Sequence, residues 1–381
     1  MRGRSATALR LTSVTELLNL VVELDRPFPN DSLPGIEVAP PARADERTLA
    51  WIDDIFGGSW SSEVNTGEVI IARRDRNPIG FAAFDPKGLR FAWLDALGRE
   101  PGTGIFGPFG VAPEERNRGL GRLLLLRALD AMRARGFVRA LIPAVTVERL
   151  MRYYADVCGA HVAERFEQAS LYRPARRALV MASGNGSNFQ AVLDASVAGA
   201  LPIEVGGLIS NDPHAYAVER ARNAGIGSVQ IVSWNRAVED RAAYGARLLE
   251  AARSQAPDLV LLLGWMHLLG DSFVHAFPEM LNLHPSFLPL DPRRDDVVMP
   301  DGQTTAAFRG ARAVRDALAA SSGWVGATIH RVTGATDRGP VFARRPLRVE
   351  PGEDEEHLMV RVHELERGVV RSGVMRWLYE R

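Results

Sequence analysis

The 381-residue chain has one cysteine, Cys158, and one lysine, Lys87. A single thiol excludes an internal disulfide, and with no His or Asp motif beside it Cys158 reads as a small buried residue of a reducing compartment rather than a nucleophile. The scarcity of lysine excludes a Walker A loop, which needs a lysine directly after its glycines. Net charge is missing too: 46 acidic residues balance 46 basic ones, so no global field draws nucleic acid. No apolar run approaches the roughly 18 residues that span a bilayer. The basic opening MRGRSATALRLTS lacks the apolar core of a secretory signal and reads as a loose, cytoplasmic N-terminus. Internal repeats and low-complexity tracts are absent as well. The partner these absences leave is a small molecule, with no nucleic acid, membrane or metal expected and self-association left open.

What is present is enough apolar sequence, 46% of residues, for two cores. A connector in LYRPARRALVMASG sets the boundary near residue 175, giving domains of 1–175 and 176–381 and a joint too short for free tumbling. The Pro-rich stretch 25–45 reads as an extended lead-in. In the first domain EVIIARRDRNPIGFAAF predicts two strands about a polar turn, GIFGPFGV and ALIPAV further strands, and residues from Leu120 and around ERLMRYYADVC helices, before a terminal hairpin. In the second, strands near 178–182, 204–210 and 258–263 alternate with helices near 188–198, 214–224 and 236–255. That alternation predicts an α/β fold with a doubly wound, mostly parallel sheet.

The strand GPFGV, the turn APEERNRGLG and the helix from Leu120 place a glycine loop before an exposed helix N-terminus. Unpaired N–H groups and the positive end of the helix dipole suit a pyrophosphate there, and Gly119 and Gly121 admit close approach to the backbone. Bare Gly-x-Gly is equally an ordinary tight turn. With Arg116 three residues ahead of Gly119, however, residues 36–172 resemble the GNAT family of acyl-CoA-dependent N-acetyltransferases, a mixed α+β fold. The resemblance implies that Arg116, Arg118, Gly119 and Gly121 hold the pyrophosphate of acetyl-CoA and that Val111 offers backbone groups to the acyl arm. It also implies that a tyrosine of RYYADV, Tyr154 ahead of Tyr153, acts as general acid toward the thiolate. Packing is the alternative role for either tyrosine, and no general base stands out.

ALVMASGNGSNFQAVL repeats the strand, glycine loop and helix. Gly186, Ser187 and Asn188 can donate to an anion, or Asn188 can simply cap a turn. Further along stand PDLVLLLGWMHLL, LNLHPSFLP, GATIHRVTGATDRGPVF and RVHELE. Together these resemble the glycinamide ribonucleotide formyltransferase family, which uses 10-formyltetrahydrofolate, across nearly all of residues 177–381. Formyl transfer to an amine needs an oxyanion donor and a proton carrier, and Asn282 and His284, two apart on a strand, share a face. The resemblance implies a catalytic Asn282, His284 and Asp337, with His330 in support. It implies a folate site at Met266, His267, Leu268, Leu269 and the loop from Val332 to Asp337, and Glu366 on the ribose hydroxyls of the amine. By residue type alone, His284 is equally a packed strand end, Asp337 a turn former and Glu366 a solvated carboxylate. His267 stands where the family commonly has arginine.

After HPSFLP the family proceeds directly to a turn matched here by Phe308, Arg309 and Gly310, whereas this chain interposes a polar segment over residues 290–307. It reads as a tolerated surface extension or as a lid over the amine pocket, with Arg293, Arg294, Asp295 and Asp296 as contacts. A histidine common in the following helix and a later Tyr-Pro are also missing. These departures point to N-formylation of an amine in a small biosynthetic intermediate, phosphorylated or not, beside an acetyl-CoA-dependent N-acetyltransferase. The alternatives are glycinamide ribonucleotide formyltransferase of purine synthesis, a 10-formyltetrahydrofolate hydrolase, and a CoA- or folate-binding regulator.

Overall fold

The computed structural model describes residues 16–86, 97–167 and 175–380. The basic opening stretch and most of the connector ahead of residue 175 lie outside them. The N-terminal domain runs β1 (Glu16–Glu23), β2 (Glu37–Val38), α1 (Glu46–Phe56), α2 (Trp60–Val64), β3 (Glu68–Arg74), β4 (Asn77–Phe84) and β5 (Thr103–Val111). It continues with α3 (Leu120–Ala134), β6 (Arg139–Val145), α4 (Glu148–Cys158) and β7 (His161–Glu167). Its seven-stranded sheet has the order β2-β3-β4-β5-β6-β1-β7. Asp75 and Arg76 both take positive φ in the tight β3–β4 turn, the conformation a two-residue hairpin demands.

β1 departs from the sequence reading, which left these residues outside the folded core. It lies between β6 and β7, antiparallel to both, with Leu17, Leu18, Leu20, Val21 and Val22 buried. Buried on both faces, such a strand shows a continuous apolar run rather than alternation, so nothing local identifies it. β7 pairs with β1, and any second strand of the expected terminal hairpin falls outside the described residues. The parallel pairing of β5 with β6 extends only from Thr103 to Ile105. Beyond it β5 stays paired with β4.

The C-terminal domain runs β8 (Arg176–Met181), α5 (Ser187–Val197), β9 (Ile203–Ser210), α6 (Tyr216–Asn223), β10 (Val229–Ile231), α7 (Arg241–Arg253), β11 (Leu259–Leu263), α8 (Asp271–Ala276) and β12 (Met280–His284). After it come β13 (Asp296–Val298), β14 (Thr304–Ala306), α9 (Ala313–Ala319), β15 (Trp324–Arg331), β16 (Val341–Arg348) and α10 (Glu355–Tyr379). Five strands, β10-β9-β8-β11-β12, are parallel; β15 and β16 add to the β12 edge antiparallel. The doubly wound, mostly parallel sheet is therefore as the alternation predicts. LVLLL in β11 is buried throughout, as a central parallel strand covered on both faces must be.

The two domains share a packed boundary. Ser62 Oγ donates to Val341 O at 3.3 Å and Arg376 to Ser59 O at 3.3 Å, joining α2 to β16 and α10. Val21 and Leu141 of the first sheet belong to the same apolar cluster as Val374, Trp377 and Leu378. The polar segment 290–307 is built as a packed hairpin. β13 and β14 pair as a hairpin whose Val297 and Met299 pack with Ala50 of α1, Phe287 and Trp324.

Candidate active sites

Side chains from β12, β15 and the loop before β16 meet at the end of the second sheet. Asn282 and His330 are direct cross-strand partners, as are His284 and Thr328, so register alone brings the first pair together. Asn282 Nδ2 donates to Asp337 Oδ1 at 3.3 Å and lies 3.2 Å from His330 Nε2. His330 Nδ1 donates to Arg331 O at 2.9 Å, and its Nε2 also faces Asp337 Oδ1 at 3.4 Å. His284 Nε2 donates to Phe308 O at 3.0 Å, leaving Nδ1 facing Asp337 Oδ2 at 3.6 Å. Sequence reasoning did not anticipate the Phe308 carbonyl, nor the Gly310 N–H that donates to Asp337 Oδ2 at 2.8 Å.

The electrostatics divide these groups. Asp337 is largely buried, which opposes ionisation. The His330 hydrogen bond, the neighbouring His284 imidazole and the Gly310 N–H outweigh that burial and hold the carboxyl well below the usual carboxylate range. For His284 burial is the larger influence and pushes the imidazole below its ordinary value, against the pull of Asp337 and the Phe308 carbonyl. The result is an ionised acid 3.6 Å from a neutral ring nitrogen, just beyond hydrogen-bond length, which a proton on that nitrogen would draw together. Asp337 occupies the left-handed region with φ 51°, which Asp tolerates better than most residues and which turns its carboxylate back toward β12.

The glycine loop lies beside this cluster. Gly186 caps α5 at φ 72°, and a Cβ there would lie 2.7 Å from Ala217 Cβ. Asn188 Nδ2 donates to Glu366 Oε2 at 2.7 Å while its Oδ1, buried, has no partner. Ser187 opens the helix. Glu366 is near enough to influence His284 and also accepts from His363 Nδ1 at 2.9 Å. His363, one turn before Glu366 on α10, escaped the sequence reading.

On the other side of the sheet end, a cavity of about 190 Å³ is lined by Trp234, Arg236, Arg241, Tyr244, Met266, His267 and Leu268. Met266 and Leu268 are exposed, whereas Leu269 and Val332 pack on the apolar cluster beneath. His267 accepts from Asn211 Nδ2 at 3.1 Å and donates Nδ1–H to Tyr244 Oη at 3.0 Å. Burial, then the Arg236 and Arg241 charges, keep it below its ordinary pKa. Trp265 Nε1 and Asn211 Oδ1 nearby are buried without partners. Aromatic walls with unpaired donors and acceptors fit a polar heteroaromatic molecule.

In the N-terminal domain Gly119 is left-handed at φ 83° and caps α3. Val111 O is already taken by Arg116 Nε at 3.1 Å, so Arg116 braces the strand end. Arg118 is exposed, with only a 3.7 Å approach to Glu115. The two tyrosines separate sharply. Tyr154 is 7% exposed and packs edge-on against Phe106 in the core, its hydroxyl pKa driven up by that burial. Tyr153 Oη, buried and without a partner, lies 3.3 Å from where a Gly121 Cβ would be, and its pKa is pushed up to about 12 by burial. Tyr153 lies beside the glycine loop and Tyr154 against Phe106, and placement alone does not choose between them. Among the described residues no group of three His, Cys, Asp or Glu side chains could hold a metal ion, and no helix is long and apolar enough to cross a membrane.

An amide, two imidazoles and an ionised carboxylate thus meet at the end of the sheet, beside a glycine loop at a helix N-terminus, an arrangement able to donate hydrogen bonds and carry a proton. The chain belongs to the formyl transferase family, whose model matches residues 176–373, and residues 30–160 match the acetyltransferase (GNAT) family. It is similar to phosphoribosylglycinamide formyltransferase of Escherichia coli K12, 33% identical over 192 residues, which are 50% of this chain and 82% of that protein. The Mycobacterium tuberculosis H37Rv phosphoribosylglycinamide formyltransferase is 35% identical over 200 residues, 52% of this chain and 83% of that one. Among solved structures, glycinamide ribonucleotide transformylase 1 from Symbiobacterium toebii is 33% identical, covers 52% of this chain and 86% of its own, and gives a TM-score of 0.46. The chain is a transferase with a formyltransferase domain and a GNAT domain.

Proposed function

We propose that the C-terminal domain formylates the amine of a small biosynthetic intermediate, with 10-formyltetrahydrofolate as donor, and that the N-terminal domain acetylates an amine from acetyl-CoA. The convergence of Asn282, His284, His330 and Asp337 carries the first half. The Asn282 N–H groups serve the carbonyl oxygen that gains charge as the amine adds to the formyl carbon. The pair of His284 and ionised Asp337 takes up the proton that the attacking nitrogen loses, the carboxylate balancing the charge at His284 Nδ1, and a proton returns from the pair to the departing nitrogen. Gly186, Ser187 and Asn188 present the N-terminus of α5 to an anionic group, and Glu366 accepts from hydroxyls beside it. The donor fits the cavity beside Met266, His267, Leu268, Leu269 and Val332. In the N-terminal domain Arg118, Gly119 and Gly121 suit a pyrophosphate, and Tyr153, beside Gly121, is the acid favoured over Tyr154.

The test offers labelled formyl donor to purified protein with phosphoribosylglycinamide and with other amines in parallel, following formylated product by mass. Transfer to at least one amine is expected, with Asn282→Ala and His284→Ala each lowering kcat about 100-fold or more. A preference for phosphoribosylglycinamide far above the other amines would assign the purine reaction instead of a specialised one. Formate release unaffected by any amine would make the domain a hydrolase.

A further inference from the structure

Arg309, Arg338 and the hairpin of residues 290–307 form a polar chain that runs from the Asp337 loop to the N-terminal domain. Each of the three guanidinium nitrogens of Arg309 donates into it: Nε to Asp337 O at 3.2 Å, Nη1 to Asp295 Oδ1 at 3.2 Å and Nη2 to Arg294 O at 2.7 Å. Arg338, the residue after Asp337, donates Nη1 to Pro292 O at 3.0 Å and pairs with the same Asp295. Arg294 in turn holds Asp296 through two contacts of 2.9 Å and pairs with Glu46 at the start of α1. Arg47 Nε donates to Pro300 O at 3.4 Å, and Leu290 joins the apolar cluster of Leu49, Trp51 and Ile52. Each end of the hairpin is therefore fastened, one to the loop that carries the ionised carboxylate and the other to a helix of the other domain. Of the side chains first assigned to a lid, Arg294, Asp295 and Asp296 are occupied with one another, with Arg309 and Arg338, and with α1, while Arg293 pairs with Asp291 and is otherwise exposed.

We propose that the hairpin is a strut that positions Asp337 for formyl transfer, with Arg309 as its positioning residue and α1 of the GNAT domain as its abutment. The role rests on the formyl-transfer reading for its effect on rate, but not for its effect on the loop. Asp337 sits in the left-handed region, where local preference does not hold it, and its carboxylate must serve Asn282, His284 and His330 at once. A displacement near 1 Å at a reacting group costs on the order of 100-fold in rate, so an external brace on the loop's backbone has a kinetic consequence.

The experiment uses the full-length protein and two readouts. Hydrogen exchange of the amides in residues 333–340, recorded without substrates, is expected to quicken in Arg309→Met and, to a smaller degree, in Asp295→Asn and Glu46→Gln. In steady-state formyl transfer Arg309→Met should lower kcat by about 10- to 100-fold while KM for the amine and for the donor stays within about twofold. Arg309→Lys should recover part of that loss, and Glu46→Gln should add nothing to Arg309→Met, since both cut one chain. Unchanged exchange in Arg309→Met overturns the strut whether or not the protein formylates anything. Faster exchange with unchanged kcat overturns the positioning role, and unchanged exchange in Glu46→Gln removes α1 from it. Faster exchange in a protein that transfers no formyl group counts against the functional reading alone. Should Arg309→Met fail to fold, Asp295→Asn, 77% exposed at its side chain, answers the same question.

Discussion

Tyr153 and Tyr154 are adjacent in sequence and alike in side chain, yet they have opposite surroundings. Residue type and motif position pointed to a tyrosine here but could not choose between neighbours that a helix sets about 100° apart. The choice depends on which face of α4 meets the core, and Phe106, which packs on Tyr154, is almost 50 residues away. Asn282, His284 and Asp337 were easier to read because their motifs fix them in order along the chain. Their supporting atoms, the Phe308 carbonyl and the Gly310 N–H, are backbone groups that any sequence could supply. From the unpartnered Tyr153 hydroxyl beside Gly121, Tyr153→Phe is expected to lower acetyl-transfer kcat about 10-fold or more. Tyr154→Phe should leave it within about twofold. Acetyl-CoA turnover with an accepted amine measures both, and equal effects would place neither hydroxyl at the thiolate.

At the level of elements, helical periodicity and the alternation of strands with helices made most of the fold legible, including α3, α4 and the run from β8 to β11. Two elements were not. β1 carries no turn signal that ties it to β6 or β7, its partners more than 100 residues later. The hairpin of β13 and β14 has mostly polar residues, and its few apolar ones, Val297 and Met299, gain meaning only from α1 across the domain boundary. The glycine loop before α5 was legible as a strand-to-helix junction, and the structure adds the reason its second glycine is demanded. Gly186 combines φ 72° with α6 packed so closely that a methyl group would meet Ala217 at 2.7 Å. Gly186→Ala therefore faces both backbone strain and a clash with α6, and is expected to cost about 1–3 kcal/mol of stability. The same shift would disturb Asn188 and raise KM for an anionic amine. The urea midpoint and the KM together check this; an unchanged midpoint would mean that α6 yields freely.

For the whole molecule the governing fact is that the domain boundary is built like an interior. Arg344 of β16 and Asp53 of α1 form a 2.8 Å ion pair that is almost entirely buried, with the guanidinium also donating to Leu288 O at 2.7 Å and lying 4.2 Å over the Phe287 ring. Burial dominates both partners: it raises Asp53 to about 7 in spite of Arg344 and lowers Arg344 from its ordinary value. Such a pair is a weak source of net stability, but removing one member strands the other, at a cost of about 3–5 kcal/mol. Because Arg344 also reaches the loop that follows the catalytic strand, this boundary and the formyl site share a residue. The wild-type protein is expected to unfold in one calorimetric transition, the two domains melting together. Arg344→Met should lose about 3–5 kcal/mol and separate the transition into two, while adding Asp53→Asn to it should restore part of the loss. The proton balance gives a further check. Asp53 is raised in the folded state, so its contribution is complete below its unfolded pKa, near roughly 3.9, and is lost as pH rises through about 7. Between pH 5 and 8 the wild-type midpoint should therefore fall relative to that of Asp53→Asn. A parallel course for the two proteins would mean that Asp53 stays ionised across that range and that Arg344, not burial, sets its charge.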